Sequence, residues 1–176
     1  AVGEGQEGGS ASIISLRGSG THPVRWHFLA EPVVDYLTYA VETVLEVHNR
    51  SAEGDILLFL TGQQEVEAAV AMLNDARASG SRKLLPLPIY SGLSSDAQLA
   101  VFQPAPRHTR KVVVATNIAE TSVTIDGIVY VVDCGFTKQR YCNPRSGQEA
   151  LVVTAESQAS ARQRAGGSRR WRRPRH

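Results

Sequence analysis

Long hydrophobic runs are missing from this sequence: none approaches the roughly 18–20 apolar residues needed to cross a bilayer, so no transmembrane segment is expected. Cysteine is scarce. Cys134 and Cys142 stand eight apart, with no CxxC pattern and no nearby histidine. That spacing suits neither a zinc site nor a disulfide framework, and a reducing compartment is the expectation. The glycine-rich opening AVGEGQEGGSAS carries no basic-then-apolar leader, and residues 1–12 read as a flexible lead-in. No GxxxxGK[ST] phosphate loop, GxSxG elbow, HExxH zinc motif or GxGxxG turn occurs. The histidines (His22, His27, His48, His108, His176) are scattered, and Asp126 and Asp133 lie seven apart across a strand-like run. A histidine-centred or paired-carboxylate hydrolase is therefore not indicated, and no metal site is expected.

What is present is enough for one ordinary domain: 176 residues, 42% apolar and 20% charged. The net charge of +2 hides an asymmetry, because residues 162–176 hold seven arginines and no acid, leaving 12 basic against 17 acidic residues in 1–161. A protein that met nucleic acid with its whole surface would be basic throughout. The Arg-rich tail 167–176 is expected to be disordered.

Hydrophobic patterning predicts alternating strands and helices. Ile13–Leu16 is a short apolar run, and Val24–Leu29 has strand character. Pro32 opens a helical stretch through His48, with proline at its first turn. Ile56–Leu60 is solid apolar, as in a strand covered on both faces, and Val66, Ala69, Val70 and Leu73 share one helical face after it. Leu84–Tyr90 reads as a strand, Ser94 as the cap of a helix reaching about Phe102, and Val112–Ala115 and Ile128–Val132 as buried strands. Phe136–Tyr141 and Ala150–Thr154 suggest an added strand pair, and Ser157–Arg164 a short helix. The expected fold is α/β, a mostly parallel sheet with helices on both faces plus a short antiparallel strand pair.

In open α/β sheets, ligands bind beyond the carboxyl ends of the strands. Four polar segments are expected there, beginning at Thr61, Ser91, Thr116 and Asp133. The stretch from Thr116 to Ser122 brings hydroxyls and an amide that suit phosphate oxygens without reading bases, though composition alone favours an ordinary capped loop. Composition and spacing lead no further than half of an α/β protein that handles nucleotides or nucleic acid.

Several strings, in order, resemble the second RecA-like lobe of DEAH-box RNA helicases of superfamily 2. Gly54-Asp-Ile-Leu-Leu-Phe-Leu-Thr-Gly-Gln-Gln-Glu-Val is similar to motif IV, and Lys111-Val-Val-Val-Ala-Thr-Asn-Ile-Ala-Glu-Thr-Ser-Val-Thr-Ile-Asp-Gly to motif V. Ser157-Gln-Ala-Ser-Ala-Arg-Gln-Arg-Ala-Gly resembles the approach to motif VI. The resemblance covers residues 13–166 and implies a RecA-like three-layer sandwich acting as the second motor lobe of an ATP-dependent enzyme. ATP with Mg2+ would be held mainly by a first RecA-like lobe that carries the phosphate loop. Carried over by position, Phe102 would stack on the base, and Thr124 and Asp126 would lie near the ribose. Thr116 and Asn117 would meet the RNA backbone, with Thr61 and Ser91 from neighbouring loops. Gln163 would position the attacking water, and Arg170 falls at the offset of an arginine finger. Without the resemblance, Phe102 reads equally as a core aromatic and Asp126 as a turn residue. Where the family has its first finger arginine this chain has Gly167, and the likeness stops there. An altered reading frame would explain the switch, the alternative being a genuine basic tail. Implied partners are RNA, the first lobe and spliceosomal or ribosome-assembly proteins, with no membrane, in an intracellular setting that is nuclear or nucleolar, with the cytoplasm as the alternative. The competing reading is a non-catalytic fragment that binds RNA or helicases.

Overall fold

A computed structural model describes residues 23–76, 83–118, 125–142, 144 and 147–166. Helix α1 spans Tyr36–Arg50, β1 Asp55–Phe59, α2 Gln63–Ala76, β2 Lys83–Ile89 and α3 Ser95–Ala100. Strands β3 (Thr109–Ala115), β4 (Ile128–Asp133), β5 (Phe136–Cys142) and β6 (Glu149–Ala155) follow, and α4 covers Gln158–Ala165. Four strands form one parallel sheet in the order β2-β3-β1-β4, while β5 and β6 pair as a separate antiparallel ribbon.

The apolar runs are buried on both faces because alternate side chains serve different cores. Ile56, Leu58, Val112 and Val114 pack beneath α1 and α2, which contribute Ala40, Val41, Val44, Val66, Ala69 and Leu73. Leu57, Phe59, Val113 and Ala115 face the opposite way, toward Val101 at the end of α3, Ile118 and Ile125. The parallel sheet, with helical segments over both faces, agrees with the expected architecture.

Two local readings are corrected. Pro32 does not open α1: the helix begins four residues later, where the Asp35 side chain accepts from the Thr38 amide (3.1 Å) and hydroxyl (2.6 Å). A side chain that satisfies an otherwise unpaired amide outcompetes proline's fixed φ as the start signal. Val24–Leu29 is irregular rather than a strand, and its Trp26 and Phe28 rings stack on each other, centroids 6.0 Å apart. The expected lead-in 1–12, the run Ile13–Leu16 and the tail 167–176 lie outside the described residues.

The carbonyl end of α1 is closed from β3. The buried Arg110 guanidinium donates to the carbonyls of Val47 (2.8 Å), His48 (3.2 Å), Ser51 (3.3 Å) and Ala52. A charged donor thereby closes the helix end and the turn after it, with Val47 O taking the Ser51 amide as well. Its other face lies over the Tyr130 ring, 5.5 Å from the centroid, so one side chain joins α1, β3 and β4. Among the described residues no helix is long and apolar enough to cross a membrane.

Candidate functional site

Because the sheet is parallel, its two ends differ in chemistry. At the carboxyl end, Phe59, Ile89, Ala115 and Asp133 stand in register, so the chain leaves β1, β2, β3 and β4 on one rim. Thr116 follows β3 directly, its amide donating to Ile89 O (3.2 Å), and is half-buried, while Asn117 and Ser91 are exposed. Thr61 shares the rim but is buried. Its hydroxyl donates to Glu65 Oε1 (2.7 Å) and its amide to Glu65 Oε2 (2.9 Å). A glutamate in the first turn of a helix reaching back to the preceding amide is a capping arrangement. It commits the Thr61 hydroxyl proton to fixing α2.

Tyr36 completes this cluster by donating to Glu65 Oε1 (2.6 Å), and its ring packs on Phe136 of β5, centroids 5.1 Å apart. Burial alone would raise the Glu65 carboxyl, but the bonds from Tyr36 and Thr61 together hold it below its ordinary value. Burial, then the bond to Glu65, pushes the Tyr36 hydroxyl up to about 12, and burial pushes the neighbouring Cys134 thiol up to about 11. Both groups keep their protons in the folded chain at pH values where the unfolded chain has released them. Stability contributed by them is complete below about pH 9 and declines as pH climbs toward about 12. Y36F is expected to flatten the part of that decline between about pH 10 and 12 while leaving the earlier, cysteine-dependent part. Urea midpoints measured at pH 8, 10 and 11.5 read the difference, and an unchanged slope would refute the assignment.

The other predicted residues occupy different places. Asp126 precedes β4 and is exposed; Gly127 beside it has φ +91° and accepts from the Asp55 amide (2.9 Å). The pair therefore stands at the amino end of the sheet, opposite the rim that holds Thr116, and its neighbour Ile125 packs on the α3 face. Phe102 ends the turn after α3 and leaves 45% of its surface exposed. Gln163 is exposed on α4. The adjacent Arg164 is buried over the Phe59 ring (5.0 Å) and donates to Asp133 Oδ1 (2.9 Å) and Glu156, docking α4 at the α3-face side of the carboxyl rim. The structure thus sets Phe102, Asp126 and the helix bearing Gln163 on one side of the sheet, with Thr116, Asn117 and Ser91 along its carboxyl edge. Thr124 and Arg170 fall outside the described residues.

Sequence reading missed the buried cations. Lys111 is 2% exposed, and its ammonium donates to Val101 O (2.9 Å) and Gln103 O (3.1 Å). Its amide donates to Asp55 Oδ1 (3.0 Å), and Asp55 Oδ2 lies 3.9 Å from Nζ. Burial lowers the Lys111 pKa against the opposing pull of Asp55 and Asp126, and burial raises that of Asp55. Nothing in a lone Lys or Arg distinguishes it from a surface charge; the one available signal is that Lys111 directly abuts a continuous buried run. No group of three or more His, Cys, Asp or Glu side chains that could hold a metal occurs among the described residues.

A parallel α/β sheet with helical segments on both faces, a polar carboxyl rim and an appended antiparallel ribbon defines a RecA-like domain. The chain matches the helicase conserved C-terminal domain family over residues 39–172 and belongs to that family. The probable ATP-dependent RNA helicase DHX35 of Pongo abelii is 53% identical to it over 159 residues, 88% of this chain and 22% of that protein. The Homo sapiens protein of the same name is 52% identical over the same shares. Among solved structures, the Escherichia coli DExH-box NTPase HrpB superposes with a TM-score of 0.77 at 38% identity, covering 86% of this chain and 18% of that one. A second structure, described as the Escherichia coli DEAH/RHA helicase HrpB, gives 0.76 at 37%, with 86% and 19% covered. The chain spans about a fifth of the length of the relatives it matches.

Proposed function

We propose that this chain is the second motor lobe of an ATP-dependent DEAH-box RNA helicase, which couples nucleotide hydrolysis to movement of RNA or remodelling of ribonucleoproteins. The observation that carries the reading is the exposure of Phe102 on the side of the sheet that also presents Asp126 and α4. An outward aromatic face and an exposed carboxylate are what a purine and a ribose ask of a protein. In this reading Phe102 stacks on the base, Asp126 and Thr124 serve the ribose, and Gln163 and Arg170 act on the terminal phosphate. ATP brings the phosphoanhydride to be cleaved, its Mg2+ held mainly by the first lobe. Thr116, Asn117 and Ser91 hold RNA by its backbone, which lets a motor step along any sequence. Thr61 serves that surface through Glu65, by fixing the loop. Nuclear or nucleolar residence, with spliceosomal or ribosome-assembly partners, belongs to the same proposal.

Two measurements test it. The isolated 176-residue chain should hydrolyse ATP at no more than the buffer rate, since the lobe that grips the phosphates is not part of it. Linked to a phosphate-loop first lobe from a DEAH relative it should gain RNA-stimulated hydrolysis, and F102A should weaken nucleotide binding about tenfold, the scale of one base–aromatic stack. Helicase-like turnover by the chain alone, or unchanged nucleotide affinity in F102A, would overturn the reading. RNA binding that gains nothing from the first lobe would favour the non-catalytic alternative.

A further inference from the structure

The backbone around Phe102 has an unusual support. Its amides are used within α3 and the turn after it: Val101 N–H donates to Gln98 O (3.3 Å), Phe102 N–H to Leu99 O (3.1 Å) and Gln103 N–H to Ala100 O (3.3 Å). Pro104 follows, so no further helical turn can supply donors to the carbonyls left pointing forward. Those carbonyls are met instead by a side chain from the sheet. Lys111 Nζ donates to Val101 O and Gln103 O, the two that flank Phe102 in sequence. An ammonium has three donors in a compact head; two are spent here, and Asp55 faces the same head at 3.9 Å. The base of the lysine is fixed as well, because its backbone lies within β3, paired with β1 and β2, and its amide is bound by Asp55.

We propose that Lys111 is a positioning residue for nucleotide recognition: it staples the carbonyls on either side of Phe102 to the rigid sheet, so the ring is presented outward in one orientation. This rests on the reading of Phe102 as a base-stacking ring. Stacking gains least when the ring must be ordered at the moment of binding, so a pre-fixed ring binds more tightly at equal contact area. The arrangement also ties the ring to the strand that leads directly into Thr116.

The test uses the whole chain labelled with 4-fluorophenylalanine, whose four phenylalanines (Phe28, Phe59, Phe102 and Phe136) give separate fluorine resonances, Phe102 being assigned by its loss in F102L. Lys111→Met keeps the side chain's length while removing the donors. Removing one partner of a buried pair costs stability, so Phe59 serves as the control that separates a local effect on the Phe102 turn from a general loosening of the sheet. The Phe102 resonance should move toward its denatured position while that of the buried Phe59, on the same face of the sheet, stays in place. Titration of the chain linked to the phosphate-loop first lobe with ADP should show affinity reduced about five- to twentyfold. A K111M spectrum and ADP affinity within twofold of the unsubstituted chain would overturn the role of Lys111. If K111M displaces Phe59 too, K111Q, which keeps a donor for one carbonyl, takes the same two outcomes. An unsubstituted chain linked to the phosphate-loop first lobe whose Phe102 resonance ignores ADP would sink the nucleotide reading instead. The hold of Lys111 on the ring is read from nucleotide-free spectra, so the two failures are distinguishable.

Discussion

R164A is expected to lower the stability of the chain by about 3–5 kcal/mol, the range for breaking a buried ion pair by removing one partner. The guanidinium is enclosed, with 1% of its side chain exposed, and meets Asp133 and Glu156 while its flat face covers Phe59. Removing it strands Glu156, whose side chain is only 7% exposed, beside Asp133 with no cation between them. At about 2–4 °C per kcal/mol for a chain of this size, the melting midpoint should fall by about 6–20 °C. The Lys variant should recover only part of this, since one ammonium cannot address two carboxylates in the planar manner of a guanidinium. Hydrogen exchange should show α4 and the β5–β6 ribbon losing protection before the main sheet, because Arg164 joins them through Asp133, Glu156 and the carbonyl of Phe136. A midpoint within about 2 °C of the parent would refute this account. The functional corollary is that Gln163 sits next to Arg164 in the same helix, so any role of that glutamine depends on the clamp.

G54A should be of similar size. Gly54 has φ +132°, a conformation L residues rarely adopt, and a Cβ placed there would lie 2.6 Å from Val129 Cβ. The backbone contributes about 1–3 kcal/mol and overpacking another 1–3, giving about 2–6 kcal/mol in all. The contact is with a stiff β-branched residue at the start of β4, so the neighbour cannot rotate away. V129G in the same chain, which removes that Cβ, should relieve the steric part and leave the backbone part. A double-mutant cycle by urea denaturation separates them, and additive effects would show that the two residues do not meet.

Why some features were legible in the sequence follows from these residues. β1 and β3 announced themselves because the stretches of a strand buried on both faces run apolar without alternation, as Ile56–Leu60 and Val112–Ala115 do. The ribbon was readable from its paired runs across Asn143–Gly147. The start of α1 was misplaced because proline's preference for a first turn is weak beside an aspartate that reaches the Thr38 amide. Val24–Leu29 shows the opposite error: β-prone side chains form a strand only when an edge pairs with them. At the candidate site, order along the chain did not reveal that Asp126 stands at the end of the sheet opposite Thr116. That follows only once β4 is known to begin at Ile128 and to run parallel to β1. Arg164, Arg110 and Lys111 were invisible as organisers, since a cation's burial is decided by acceptors distant in sequence.

The feature with the widest consequence is the continuity of β3. It is buried from Arg110 through Ala115 and hydrogen-bonded along both edges, with Lys111 near its beginning and Thr116 just beyond its end. Five residues at about 3.3 Å each separate them, roughly 17 Å. A strand so enclosed can neither stretch nor buckle. It is a stiff link between the Lys111 that holds the Phe102 turn and Thr116 at the carboxyl rim.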